Sequence, residues 1–163
     1  MAHWAVTLTV EQFDIERLYE HECVSLTEPV TAGASGDQVA LVSDGRLVAI
    51  GSLVDPARVS YTQRFFDNPP AVEWVAPGRL TAQAFARLSA LGPPPMTRKP
   101  WMVSLDLPIE AATPAEAVRQ FWTYLKELGP QELPAFVWPV GDELAMQAYV
   151  LGAEHNLDPE EDD

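Results

Sequence analysis

Apolar and polar positions alternate with a period of two at the start of the chain, where Trp4, Val6 and Leu8 interleave with His3, Ala5 and Thr7. Alternation with β-branched and aromatic residues predicts a strand. Thr9 followed by Gln12 has the spacing of a capping box, so a short helix is expected from there to about Glu20, with Phe13, Leu18 and Tyr19 on its apolar side. Cys23 to Val30 reads as extended, and the small polar run Thr31 to Asp37 as a loop. Val39-Ala40-Leu41-Val42 and Leu47-Val48-Ala49-Ile50 then flank Asp44-Gly45. Asp-Gly between two β-rich runs predicts a hairpin, because both turn positions need positive φ. Gly51 interrupts the second strand and implies a bulge or a close backbone approach. Val59 to Phe66 and Val72 to Val75 are expected strands, and Thr81 should cap a helix ending near Leu91 with Ala84, Phe85 and Leu88 inward.

Gly92 and three prolines, Pro93 to Pro95, favour a stiff extended connection and put a subdomain border at about residue 97. Beyond it, Val103, Leu105, Leu107 and Ile109 alternate with Ser104, Asp106, Pro108 and Glu110, which predicts a strand with one wet face. Pro108 cannot donate to a ladder, so this strand should lie at an edge or carry a bulge. Thr113, Pro114 and Glu116 form a complete helix start, and Val118, Phe121, Trp122, Leu125 and Leu128 make an apolar stripe before Gly129-Pro130. Trp122 is therefore expected in the core. Ala135 to Val140 and Leu144 to Leu151 read as strands joined by the turn Gly141-Asp142-Glu143. The expected fold class is α+β, with an N-terminal part (1–97), a compact β-α-β-β unit (98–157) and an acidic disordered tail (158–163).

Composition narrows the function classes. The 163 residues are 47% apolar and 21% charged, an ordinary globular balance. No apolar run approaches the roughly 18 residues of a membrane helix. The N-terminus has neither a basic start nor a small-residue cleavage site, so a cytoplasmic location is expected. The single cysteine, Cys23, excludes an internal disulfide and any multi-cysteine metal site. The net charge of −14 is uneven: residues 1–100 hold 8 Lys or Arg against 11 Asp or Glu, and residues 101–163 hold 2 against 13. Such acidity opposes non-specific binding to nucleic acid, so a nucleic-acid site would have to sit among the arginines of the first hundred residues.

Chemical motifs are sparse. The chain has no phosphate-binding loop, dinucleotide fingerprint or nucleophile elbow. His21, Glu22 and Cys23 are adjacent, and neighbouring side chains diverge too far to converge on one metal. Asp106 and Glu110 share one strand face, as an acid-base pair or as solvated edge charges. No cofactor and no enzymatic activity are expected. Of the five tryptophans, Trp4, Trp74 and Trp101 lie in or beside expected strands, where they either pack or form an aromatic cage for a flat ligand.

The aromatic first strand HWAVTLTV, the following helix, Gly36-Asp37-Gln38-Val39-Ala40-Leu41-Val42 and Val48-Ala49-Ile50-Gly51-Ser52-Leu53-Val54 resemble PUA-like domains, the superfamily that includes EVE and ASCH domains. The resemblance covers just over half of the chain and implies a small β-barrel with short helices that binds RNA or DNA, in some members through a modified base. It directs attention to Trp4 and Tyr61 as stacking residues and to Arg58 and Arg64 as contacts to phosphate or a base edge.

Two functional expectations follow. One is a non-catalytic reader of nucleic acid or a modified base through Trp4, Arg58, Tyr61 and Arg64. The other is an acidic protein-protein interaction module (immunity-type, adaptor or nucleic-acid mimic) that binds a basic partner through Asp106, Glu110, Asp142 and Glu143.

Overall fold

The computed structural model describes residues 1–92, 99–150 and 153–155. The chain divides into two compact units, Met1–Met96 and Thr97–Asp163. Both combine helices with sheets, so the fold class is α+β. The proline run and the acidic tail at 158–163 lie outside the described residues.

The first unit is built on β1 (His3–Thr7), α1 (Val10–Glu16), β2 (Cys23–Ser25), β3 (Gln38–Ser43), β4 (Arg46–Asp55), β5 (Arg58–Arg64), β6 (Gly78–Leu80) and α2 (Ala82–Ser89). Its sheet has the order β2-β5-β4-β3-β1-β6, with β1 parallel to β3 and every other pair antiparallel. The expected small barrel is replaced by an open sheet, with β2 and β6 as its edges. Both edge strands have only three residues, which keeps exposed ladder groups few.

Strand β3 lies inside the sheet and is buried on both faces, as its unbroken apolar run requires. Val39 and Leu41 join Leu8, Val24, Leu53 and Val59 on one face; Ala40 and Val42 join Leu47, Ile50, Phe65, Phe85 and Leu88 on the other. Helix α2 covers that second face. Thr81 Oγ1 accepts from Ala84 N at 3.1 Å to cap it, and burying Phe85 and Leu88 contributes roughly 2 kcal/mol each. The β3–β4 hairpin turns on Asp44 (φ 47°) and Gly45 (φ 68°), the positive pair that sequence led one to expect.

Helix α1 stops at Glu16 instead of reaching Glu20. It buries no residue, and Leu18 N and Tyr19 N bond only three residues back, as in a fraying turn. Val72 to Val75 is not a strand: Val72 N bonds Gly45 O across the hairpin and Val75 N bonds back to Val72 O. Edge strand β6 is an element that periodicity misses, because three residues carry no measurable alternation.

The second unit contains β7 (Trp101–Ser104), α3 (Pro114–Leu128), β8 (Ala135–Pro139), β9 (Gln147–Val150) and β10 (Ala153–His155), with an antiparallel sheet of order β10-β9-β8-β7. The expected β-α-β-β order thus gains a fourth strand. Strand pairing ends at Ser104, well short of Ile109, yet Leu105, Leu107 and Ile109 are half-buried while Asp106, Pro108 and Glu110 are exposed. The alternation survives as burial after the ladder has stopped. Helix α3 begins as its box requires, with Thr113 Oγ1 accepting from Glu116 N at 3.2 Å. Its stripe, however, is not core: no α3 residue is buried, and Trp122 is 64% exposed, which overturns its expected place in the interior. Amphipathic spacing specifies that a face is apolar and is silent on whether anything covers it.

Candidate functional site

The four residues proposed as nucleic-acid readers all lie on the large sheet. Trp4 pairs with Val39, Val39 with Gly51, and Gly51 with Tyr61, so Trp4 and Tyr61 stand in one row across four strands. Both pack against the same core cluster. Strands about 4.8 Å apart put their backbones roughly 14 Å from each other.

A bulge brings Tyr61 and Arg64 together. Residues three apart on a regular strand face opposite sides, but the β4–β5 register slips between Ile50 and Gly51, leaving Thr62 extra. Thr62 Oγ1 donates to Ile50 O at 3.1 Å and closes the irregularity. Gly51 is needed there, because an added Cβ would run into Ser60 O and Val59 Cγ1. The Arg64 guanidinium consequently sits 4.7 Å from the Tyr61 ring centroid.

That pair is engaged by the segment after α1. Tyr61 Oη donates to Glu16 Oε2 at 2.9 Å, and the same oxygen lies 3.3 Å from His21 Nδ1. Arg64 donates to Glu20 Oε1 at 2.8 Å and to the His21 carbonyl. Burial, reinforced by the adjacent Glu16 carboxylate, pushes the Tyr61 phenol well above its ordinary value of 10. Phe66 meets the Tyr61 ring edge-on at 5.7 Å, and Phe13 meets Phe66 at 5.6 Å. The arrangement fastens α1 and its following turn to the sheet. A depression of about 260 Å³ lies beside it, lined by Arg64, Phe65, Phe66, Asp67, Asn68, Pro70 and Leu91.

Trp4 is occupied as well. Its indole N–H donates to Asp37 Oδ2 at 3.1 Å, and the buried Asp37 also accepts from Ala34 N at 3.0 Å and from Ala2 N at 2.7 Å. Chiefly through the two backbone donors, Ala2 then Ala34, these bonds hold the carboxyl down at about 2. Arg58 starts β5, six positions from Arg64, and pairs with Asp55 at 3.5 Å on the exposed β4–β5 hairpin. The structure therefore joins Tyr61 with Arg64, leaves Trp4 a row-length away and sets Arg58 apart. Glu16, Glu20 and His21 were missed in the sequence because their partners lie more than forty residues away.

In the second unit the four carboxylates fall into two pairs. Asp142 and Glu143 occupy the turn between β8 and β9, at the end of the sheet where Trp101 pairs with Pro139; Asp106 and Glu110 follow the opposite end of β7. All four are exposed. Between them β7 presents Trp101, Met102 and Val103, each exposed, and the Asp142–Glu143 turn adds Val140, Met146 and a fully exposed Leu144. Lys99 Nζ lies 4.2 Å over the Trp101 ring.

Among the described residues there is no group of His, Cys, Asp and Glu able to hold a metal ion, and no helix long and apolar enough to cross a membrane. No protein-family model, curated protein or solved structure matches this chain.

Proposed function

We propose that the chain is a non-catalytic interaction module whose C-terminal unit receives a basic partner protein. One observation carries this reading: exposed apolar side chains in the second unit lie between exposed carboxylates, with Trp101, Met102 and Val103 flanked by Asp106 and Glu110 on one side and by Asp142 and Glu143 on the other. Isolated exposed apolar residues are ordinary on any surface. Here helix α3 adds Val118, Trp122, Tyr124 and Leu128 to those of β7 and the β8–β9 turn. The charge selects the partner. Residues 101–163 carry 2 basic against 13 acidic side chains, so a second copy would bring like charge to the same face, whereas a basic protein brings the complement.

The test begins with capture of basic proteins on the immobilised full chain. A captured protein is identified and purified, and its association rate is measured over a range of salt. Replacing Asp142→Lys and Glu143→Lys together should slow association about tenfold and flatten its salt dependence. An association rate indifferent to that double change removes the proposal.

A reader of nucleic acid or a modified base through the first unit is the second reading, favoured by one observation, the Arg64 guanidinium over Tyr61 beside an open depression. Against it, Arg64 is paired with Glu20, Trp4 with Asp37, and Arg58 stands apart. Anisotropy with labelled RNA and DNA oligonucleotides at low salt distinguishes the two, because only the reader binds them and loses affinity with Arg64→Ala.

A further inference from the structure

Among the described residues strand β7 is paired along one edge only, and its register shows which backbone groups the other, open edge presents. Trp101 stands opposite Pro139, Met102 opposite Trp138 and Val103 opposite Val137. Val140 N donates to Pro100 O at 3.3 Å, so Pro100 belongs to the set whose N–H and C=O positions point at β8. Antiparallel strands alternate strictly between hydrogen-bonded and non-hydrogen-bonded positions. Met102 and Ser104 therefore turn their amides and carbonyls toward β8, and Trp101 and Val103 turn theirs outward. Pro139 fits the same register, since a residue without an N–H loses nothing at a non-hydrogen-bonded position.

The open edge is short, and Lys99 just before it lies 4.2 Å over the Trp101 ring, but the strand itself carries no other protection. No proline lies within β7, no charged side chain is on the strand itself, and Trp101, Met102 and Val103 are all exposed, Val103 by 65%. An exposed apolar edge of this kind is a template for one more strand.

We infer that β7 is extended by an extended segment of a basic partner, which adds as a fifth strand along the Trp101 and Val103 backbone. This rests on the acidic-module reading and specifies how that partner docks. The outward N–H and C=O groups supply the pairing, and Trp101 and Val103 supply cross-strand neighbours for β-branched side chains. The carboxylates beyond each end of β7, Asp142 and Glu143 at one and Asp106 and Glu110 at the other, select a segment with an apolar centre and Lys or Arg at both ends.

The probe is a capped nine-residue peptide, Lys-Lys-Val-Thr-Val-Thr-Val-Lys-Lys, titrated against the full chain by calorimetry. It should bind, and the same peptide N-methylated at its central amides should not. Val103→Pro removes an outward donor and should weaken binding roughly five- to tenfold, while Val103→Thr, which keeps the amide and the side-chain shape, should leave it unchanged. Circular dichroism checks that the proline variant is folded, and the N-methylated peptide tests the same bonds without altering the protein. Equal binding of both peptides overturns strand addition. If binding still falls with Asp142→Lys and Glu143→Lys in that case, the acidic-module reading stands and only its docking mode fails. Absence of peptide binding together with an association rate indifferent to the double change removes both. Sedimentation showing a dimer that Val103→Pro dissociates would make the occupant a second copy and overturn the inference.

Discussion

Replacing Tyr61→Phe removes one oxygen from the bonds that fasten α1 to the sheet and leaves the packing nearly untouched. The phenol donates to Glu16 Oε2 at 2.9 Å, and the Glu16 side chain is only 13% exposed, so water cannot fully replace the lost donor. A hydrogen bond to a charged group contributes roughly 1.5–3 kcal/mol. The ring keeps its contacts with Phe66 and Arg64, so no cavity term is added. Glu16 also retains His21 Nδ1 at 3.3 Å, which places the expected loss nearer the lower half of that range, at about 2 kcal/mol. Urea unfolding should then show a midpoint lower by about 1 M with an unchanged slope. A double-mutant cycle with Glu16→Ala should return a coupling of about 1–2 kcal/mol. The phenol also links this contact to pH. Its value is raised in the folded chain, so the stability it contributes is complete below the ordinary value of 10 and falls as pH rises above it. The wild-type minus Tyr61→Phe difference in tyrosinate absorbance should accordingly appear only with unfolding. A loss below about 0.5 kcal/mol, or a native-state tyrosinate signal near pH 10, would refute a buried phenol committed to Glu16.

Two further outcomes follow from the first unit. Asp37 is held at about 2 against an ordinary 3.8, so its stabilising contribution is present above pH 4 and is lost as pH falls toward 2; Asp37→Asn should flatten acid unfolding in that window, and an unchanged acid limb would show that its three donors do not favour the charged form. Gly51→Ala should cost about 3 kcal/mol by urea unfolding, because the new methyl meets the Ser60 carbonyl and Val59 with no room to yield, and a cost below about 1 kcal/mol would mean that β5 shifts away freely.

Local elements were largely legible. The Asp44-Gly45 hairpin, the three threonine caps and the boundaries of α3 are properties of a few adjacent residues, and each formed where the spacing placed it. The Gly51 irregularity was legible as well, though its consequence was not. A bulge at Thr62 moves Tyr61 and Arg64 onto one face, and no count along the chain reveals a slip in register between two strands. The resemblance to a small barrel drew attention to Trp4, Tyr61 and Arg64, whereas their partners Asp37, Glu16 and Glu20 come from distant segments.

The amino-acid order by itself determined where helices start, where chain reversals fall, that the fold is α+β, and that the negative charge gathers in the second half. These follow from backbone sterics, capping bonds and composition, which act over a few residues or over none. Tertiary structure decided what each apolar face meets. Val39 and Leu41 lie beneath packed neighbours, whereas Trp122, Trp101 and Val103, equally apolar in pattern, lie at the surface. Hydrophobic spacing specifies a face, and only the packing of distant segments determines whether that face is interior or left for a partner.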